Sequence, residues 1–261
     1  MEFPKFGIGT YKLRDEETIN NVLKTAYELN YRMIDTAELY KNQEYIGKFI
    51  EMSKIDRKSI WITTKVSFKN MRKSEKDIVE GINRTFIDLR TDYIDLYLIH
   101  CPIEKTDNML FTWNYLRKLK DEGKIRYIGI SNFPLEKLKK FIKLIGEDES
   151  KHIYCNQIEC NPYHNRKELR DYCKERNIKI TAYGSLYKIT DDIKKIGEEL
   201  NRTPYQILLK WALQEDIRVI PMADKMDYIR MNADLDFDIS EDNMKLLNSL
   251  NENYSLWPRY N

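Results

Sequence analysis

Four polar residues of different types occur where apolar, strand-like runs end, and together they could carry proton-transfer chemistry. Asp35, Lys65 and His100 close three such runs, and Tyr40 follows Asp35 in the next loop. A carboxylate can pair with an ammonium, and an ammonium beside a phenol lowers the phenol's pKa from its usual value of about 10. Such a phenol can act as a general acid. Taken singly, each residue also has an ordinary explanation, such as a helix cap for Asp35 or a solvated position for Lys65.

The elements that must position these residues alternate along the chain. Short β-rich runs alternate with amphipathic segments, which is typical of parallel βαβ units. The predicted strands are FGIGT near residue 8, RMID ending at Asp35, IWITTK ending at Lys65, YIDLYLIH ending at His100, IRYIGIS ending at Ser131, HIYCNQIE ending at Glu159, IKITAYG ending at Gly184 and IRVIP ending at Pro221. Thr203, Pro204 and Gln206 match the start of a capped helix that continues to Leu213.

Eight alternations could build a closed barrel or an open doubly wound sheet, and periodicity alone does not separate them. An open dinucleotide-binding sheet would need a GxGxxG turn after its first strand, whereas only Gly7 and Gly9 occur there. We therefore predict an α/β fold, a single-domain (β/α)8 TIM barrel over residues 1–261. The carboxyl ends of barrel strands meet at one mouth, so the four polar residues would converge.

The composition argues against several other classes of protein. The 44 Lys and Arg residues nearly balance the 42 Asp and Glu residues, so the overall charge favours neither nucleic acid nor an anionic membrane. No apolar run reaches the roughly 18 residues that span a bilayer, and MEFPKFGIGTYK lacks the apolar core of a signal peptide. The four cysteines and three histidines lack metal-site spacing. We expect a cytoplasmic monomer with neither metal nor disulfide.

Six runs resemble, in order and spacing, those of the aldo-keto reductases. They are YRMIDTAELYKNQEYIG, ITTKV, DYIDLYLIHCP, GISNF, NQIECNPY and AYGSL. The resemblance extends from Phe6 to about Ile239. It implies a β/α barrel that binds NADP(H) in extended form without a Rossmann domain, and it makes the four polar residues above the family's catalytic tetrad.

The resemblance also implies a role for each member of the tetrad. Tyr40 would donate a proton to a carbonyl oxygen while the cofactor delivers hydride to the carbon, Lys65 held by Asp35 would tune the phenol, and His100 would orient the carbonyl. The implied activity is reduction of an aldehyde or ketone, a small-molecule carbonyl substrate that the sequence does not identify. A cofactor-sensing or structural protein and an unrelated barrel hydrolase are the competing functions.

The cofactor contacts implied by the resemblance lie in several segments. Ser131, Asn132 and Gln157 match residues that bind the nicotinamide carboxamide, and Tyr183 matches the aromatic residue that stacks on the ring. Ordinary barrel packing is the alternative reading of these four. The further implied cofactor contacts are Thr10, Tyr11, Gly184, Leu186, Met222, Tyr228 and Asn232.

The segment after the eighth strand departs from the family pattern for binding the 2′-phosphate of NADP. Met222, Ala223 and Tyr228 stand where a lysine, a serine and an arginine are usual. Lys225 and Arg230 could substitute for the missing cations or could be solvated surface residues. We predict NADP(H) as the cofactor, with NAD(H) as the alternative.

The substrate side also departs from the family. The resemblance places Tyr11, Cys101 and Trp257 in the substrate pocket, with Cys101 in IHCP where a tryptophan is usual. The connection after the seventh strand is short, and most of an N-terminal hairpin is missing. The tail, with Arg259 and Tyr260, could reach the pocket or could be frayed.

Overall fold

A computed structural model describes residues 1–258, and within this range eight parallel strands form one sheet in chain order. The strands are β1 (Ile8–Gly9), β2 (Met33–Asp35), β3 (Trp61–Val66), β4 (Ile94–Ile99), β5 (Ile125–Ser131), β6 (Ile153–Glu159), β7 (Lys179–Tyr183) and β8 (Arg218–Val219). Their residues are almost all buried, as expected for strands covered by helices on one face and packed into a barrel on the other.

Amphipathic helices connect the strands and cover the outside of the sheet. They are α1 (Glu16–Glu28), α2 (Gln43–Ser53), α3 (Phe68–Lys73), α4 (Glu75–Asp88), α5 (Thr106–Asp121), α6 (Leu135–Ile145), α7 (Glu147–Ser150), α8 (Lys167–Glu175), α9 (Asp191–Leu200), α10 (Pro204–Gln214), α11 (Met226–Ala233) and α12 (Glu241–Ser249). Short 3₁₀ turns occupy Glu38–Tyr40 and Arg57–Ser59. The predicted capping box at Thr203 is confirmed, because Thr203 and Gln206 exchange side-chain to backbone hydrogen bonds.

The sheet closes on itself between β8 and β1. The amide of Gly7 donates to the carbonyl of Val219 at 3.0 Å, and the amide of Gly9 donates to the carbonyl of Pro221 at 3.1 Å. The Val219 amide donates in turn to Lys5 at 3.0 Å. The predicted (β/α)8 barrel is therefore confirmed, and the open doubly wound sheet is excluded.

The core has two layers, one between strands and helices and one inside the barrel. The inner layer contains Met33, Leu96 and Leu98. At the amino ends of the strands, Phe3 stacks on Trp61 with ring centroids 4.6 Å apart. We call this end the barrel floor. The opposite end, at the carboxyl ends of the strands, is the barrel mouth.

The predicted strand ends agree with the structure to within two residues. Asp35, Ser131 and Glu159 end their strands as predicted, whereas His100 directly follows β4 and Lys65 precedes the last residue of β3.

Among the described residues, every helix is too short or too polar to cross a bilayer. Cys155, Cys160 and Cys173 are buried, and burial raises the pKa of each thiol, to about 12, 11 and 12 respectively. The thiols therefore stay protonated at neutral pH.

Candidate active site

A cavity of about 630 Å³ opens at the barrel mouth, where the loops after the strands meet. Asp35, Tyr40, Lys65 and His100 all line it, although they come from three different strand ends and one turn. The sequence-predicted tetrad is thus brought together in one place. The cavity is the place where side chains from separate segments can act on one small molecule.

The Lys65 ammonium contacts two other members of the tetrad, Asp35 and Tyr40. Its Nζ donates to Asp35 Oδ1 at 2.7 Å, to the Thr36 carbonyl at 2.8 Å and to Tyr40 Oη at 3.3 Å, so each of its three protons has an acceptor. The side chains of Lys65 and Asp35 are only 1% and 3% exposed. Burial lowers the pKa of Lys65 and raises the pKa of Asp35, and the attraction between the two charges opposes both shifts. Both groups therefore stay charged only while the short contact between them is kept.

Tyr40 reaches the ammonium from the 3₁₀ turn that follows β2. The turn ends at Lys41, whose φ of 55° lies in the left-handed region. The Tyr40 ring lies edge-on to the His100 ring, with centroids 6.0 Å apart and planes at 80°. Its other neighbour is Tyr11, at 5.2 Å between centroids. A carbonyl group in the cavity could therefore contact the phenol and the imidazole together.

The residues predicted to hold the nicotinamide form a connected group on the β5–β7 side of the cavity. Ser131 Oγ donates to the Gln157 carbonyl at 2.8 Å, and Tyr183 Oη donates to Asn132 Oδ1 at 2.6 Å. Gln157 Nε2 donates to Asp35 Oδ2 at 2.7 Å and so links this group to the tetrad. A hydroxyl, two amides and an aromatic ring are the chemical complement of a carboxamide on an aromatic ring. These residues therefore fit a nicotinamide.

The C-terminal segment crosses the same side of the mouth and is held there by Glu159. The buried Glu159 carboxylate accepts hydrogen bonds from Ser255 Oγ at 2.6 Å and from the amides of Leu256 at 2.7 Å and Trp257 at 3.3 Å. The Trp257 ring lies edge-on to Tyr183, with centroids 5.2 Å apart. Gly184, with φ of +64°, makes room for this ring, since a Cβ there would lie 2.9 Å from it. Trp257 lines the cavity, where the sequence predicted it.

The other predicted cofactor and substrate contacts divide into two sets. Those that line the cavity are Tyr11, Gly184, Leu186 and Met222. Those that do not line it within the described residues are Thr10, Cys101, Tyr228 and Asn232. Arg259 and Tyr260 lie outside the described residues.

The burial and position of each residue in the second set explain why it lies outside the cavity lining. Thr10 is fully buried, and its hydroxyl donates to the Asp35 carbonyl at 2.9 Å. Cys101 is 4% exposed at the bend that follows His100 and does not line the cavity, so its contact with a substrate stays a prediction. Asn232 is buried on α11 and Tyr228 is exposed on the same helix. Cofactor contacts by Thr10, Tyr228 and Asn232 stay predictions.

Glu38 is a residue of this region that the sequence analysis missed. It precedes Tyr40 in the 3₁₀ turn and is partly buried, away from the cavity wall. Its Oε2 accepts from the Ser67 amide at 3.0 Å and from Asn70 Nδ2 at 3.1 Å, and its Oε1 accepts from Tyr97 Oη at 2.9 Å. An acidic residue inside the motif DTAELY was the only available signal.

Replacing Glu38 with glutamine should change how stability depends on pH. Burial raises the pKa of the Glu38 carboxyl to about 7 from 4.5. The native protein therefore binds more protons than the unfolded chain between these values, and this group's contribution to the free energy of unfolding falls as pH rises through that range. Glu38→Gln removes this loss, so the variant should gain about 3 kcal/mol relative to the unaltered protein between about pH 4.5 and 8. Urea denaturation at both pH values measures the difference, and a pH-independent difference would contradict the expectation.

Comparisons with known proteins find reductases that are similar to this chain over most of its length. Glyoxal reductase from Bacillus subtilis is 35% identical over 263 residues, covering 99% of this chain and 92% of the relative. Methylglyoxal reductase DkgB from Salmonella typhi is 36% identical over 253 residues, covering 93% of this chain and 92% of the relative.

Solved structures show the same architecture. An aldo-keto reductase enzyme from a Medee basin deep-sea metagenome library superposes with a TM-score of 0.90 at 33% identity, covering 98% of this chain and 94% of the other. The aldose reductase from Schistosoma japonicum superposes with a TM-score of 0.86 at 26% identity, covering 98% and 91%. The model of the aldo/keto reductase family matches residues 5–188. The chain matches the family model, its barrel is closed and its tetrad is assembled. The chain therefore belongs to the aldo/keto reductase family.

Proposed function

We propose that this protein is a carbonyl reductase that reduces aldehydes or ketones with a nicotinamide cofactor. The observation that carries the proposal is the buried Lys65 ammonium, which joins Asp35 to Tyr40 Oη on the wall of a cavity sized for a small molecule. Reductases of glyoxal and methylglyoxal among the relatives support a carbonyl substrate. Small reactive aldehydes of this kind are the first substrates to test.

In the proposed mechanism the Tyr40 hydroxyl donates its proton to the carbonyl oxygen. The Lys65 ammonium, already 3.3 Å from Tyr40 Oη, stabilises the phenolate that remains. Asp35 keeps the ammonium charged and in place. His100, whose ring lies edge-on to the Tyr40 ring, would orient the substrate. A bound nicotinamide dinucleotide would supply the hydride.

The same chain supplies the groups that would hold the nicotinamide. Ser131, Asn132 and Gln157 would bind the carboxamide, and the Tyr183 ring would pack on the nicotinamide ring. A cytoplasmic monomer that prefers NADP(H) over NAD(H) stays a prediction.

Turnover by the purified protein tests the proposal. NADPH or NADH should be consumed when methylglyoxal or 4-nitrobenzaldehyde is added, and the alcohol product should form in equal amount. Binding of both nucleotides without turnover of any aldehyde would instead favour a non-catalytic, cofactor-sensing protein.

Lys225, directly before α11, and Arg230, within α11, are the proposed replacement for the missing 2′-phosphate contacts. Lys225 Nζ lies 5.6 Å from the centroid of the Tyr228 ring, and Arg230 pairs with Asp227 at 3.2 Å. The Arg230 and Asp227 side chains are 57% and 90% exposed, so the pair is weak and easily exchanged for a phosphate. Charge-assisted hydrogen bonds contribute about 1.5–3 kcal/mol each. We therefore expect Lys225→Ala with Arg230→Ala to raise the Kd of NADPH by at least about tenfold and that of NADH less than twofold.

Quenching of the intrinsic tryptophan fluorescence on nucleotide binding measures both dissociation constants, since Trp257 lines the cavity. Lys137→Ala, which removes an exposed cation from α6, is the matched control and should change neither. An equal loss of affinity for NADPH and NADH in the double variant would contradict a 2′-phosphate contact.

A further inference from the structure

The catalytic phenol is carried by a short 3₁₀ turn that follows β2. Within the 3₁₀ turn, the Tyr40 amide donates to the Ala37 carbonyl at 2.9 Å and the Lys41 amide to the Glu38 carbonyl at 3.4 Å. No side chain caps the start of this turn at Ala37. The contact from Lys65 Nζ to Tyr40 Oη, at 3.3 Å, is also the longest of the three that the ammonium makes. Asn42 fixes the chain after the turn through hydrogen bonds to Thr36, Thr10 and Leu13, and a further contact joins the start of the turn to the end of β3.

Glu38 makes that contact. Its Oε2 accepts from the backbone amide of Ser67 at 3.0 Å. Glu38 lies two positions before Tyr40 and Ser67 lies two positions after Lys65, so a single hydrogen bond joins the segments that carry both catalytic groups. The same oxygen accepts from Asn70 on α3, and the other accepts from Tyr97 on β4. The carboxylate therefore connects the turn to the junction between β3 and α3, to α3 itself and to β4.

A glycine in α4 leaves the space that this cluster occupies. A Cβ at Gly81 would lie 2.5 Å from Asn70 Nδ2 and 2.9 Å from Glu38 Oε2. Glycine in a helix interior costs about 1 kcal/mol relative to alanine, so Gly81 needs a reason of its own. The close approach of the Glu38 carboxylate and the Asn70 amide to the helix provides that reason.

The cluster also fixes one wall of the cavity. Phe68 lies between Ser67 and Asn70 in the chain, and its ring lies edge-on to His100, with centroids 6.0 Å apart. Phe68 lines the cavity, whereas Glu38 does not. Glu38 thus borders the site without touching a molecule inside it.

We propose that Glu38 is a positioning residue that sets the distance between the Tyr40 hydroxyl and the Lys65 ammonium by clamping the Tyr40 turn to Ser67, Asn70 and Tyr97. The inference rests on the proposed reductase function. A small displacement of a catalytic group can cost about 10²-fold in rate. Loss of the clamp should therefore lower kcat and leave nucleotide binding almost unchanged.

Kinetics of Glu38→Ala and Glu38→Gln test the proposal, with NADPH or NADH and the best aldehyde found for the unaltered protein. Glu38→Ala should lower kcat by at least about tenfold, while the nucleotide Kd from intrinsic tryptophan fluorescence changes less than twofold. Glu38→Gln should recover kcat to within about threefold of the unaltered protein, because the amide oxygen can still accept from the Ser67 amide. A kcat for folded Glu38→Ala within twofold of the unaltered value would overturn the inference.

Gly81→Ala gives a second, independent test if Glu38→Ala does not fold. Its added methyl group must displace Asn70 or the Glu38 carboxylate, so kcat should fall with nucleotide binding retained. Gln214→Ala serves as the control for general destabilisation, because it removes two hydrogen bonds to Ile239 far from the mouth and should keep kcat. Unchanged kcat in Gly81→Ala would overturn the inference. Absence of turnover in the unaltered protein would instead refute the reductase function itself, and the clamp with it.

Discussion

Tyr40→Phe should lower kcat for carbonyl reduction by about 10²–10⁴-fold while nucleotide binding remains intact. The substitution removes only the hydroxyl that accepts from Lys65 at 3.3 Å, and the ring can still pack between Tyr11 and His100. The proton for the carbonyl oxygen would then have to come from water, which is a much weaker acid than a phenol. Single-turnover and steady-state rates, with the nucleotide Kd measured in parallel, separate this chemical loss from a loss of binding.

Tyr115→Phe is the matched control for this substitution. Tyr115 is a partly buried tyrosine of α5 that stacks on Phe111, with centroids 6.1 Å apart, and it does not line the cavity. Its variant should retain full activity. If Tyr40→Phe kept more than a tenth of the unaltered kcat, another group would have to be the proton donor.

Asp35→Ala should destabilise the protein by about 3–5 kcal/mol, because it leaves a buried charge without its partner. The Lys65 side chain is 1% exposed, and Asp35 is its only carboxylate partner within the described residues. The substitution also removes the acceptor of Gln157 Nε2 at 2.7 Å. Lys65 must then either stay charged without a counter-ion or lose its proton, and both outcomes cost free energy. Urea denaturation at neutral pH measures the loss.

A double-mutant cycle with Lys65→Met separates the ion pair from the loss of packing. Removing both charges takes away the unpaired ammonium, so Asp35→Ala with Lys65→Met should be more stable than the sum of the two single changes allows. The double variant should nevertheless be inactive. Additive losses of stability would show that the pair is not coupled in the way that its 2.7 Å geometry indicates.

The tetrad could be predicted from the sequence because its members adjoin strand ends. Strand ends in a closed parallel barrel meet at one mouth whatever the loops do, so Asp35, Lys65 and His100 converge by topology alone. Tyr40 needed the family resemblance, because nothing in periodicity says which way a loop residue points.

The remaining site residues depend on contacts that a linear pattern does not contain. Glu38 acts through Ser67 and Tyr97, which lie 29 and 59 positions away. Cys101 lies outside the cavity lining at the bend after His100, and the linear pattern does not say how far a residue at such a bend is exposed. The course of the C-terminal segment likewise depends on the Glu159 carboxylate, some 96 to 98 positions before the groups that it binds. Contacts between residues so far apart in the chain form only when the barrel has folded.

Phe3 at the barrel floor and Trp257 at the mouth place the two ends of the described chain on opposite faces of the protein. An affinity tag or fusion partner joined before Phe3 would therefore leave substrate access clear, whereas one joined after Trp257 would emerge beside the entrance. Immobilisation through the amino-terminal side is accordingly the arrangement suited to surface-based assays of this protein.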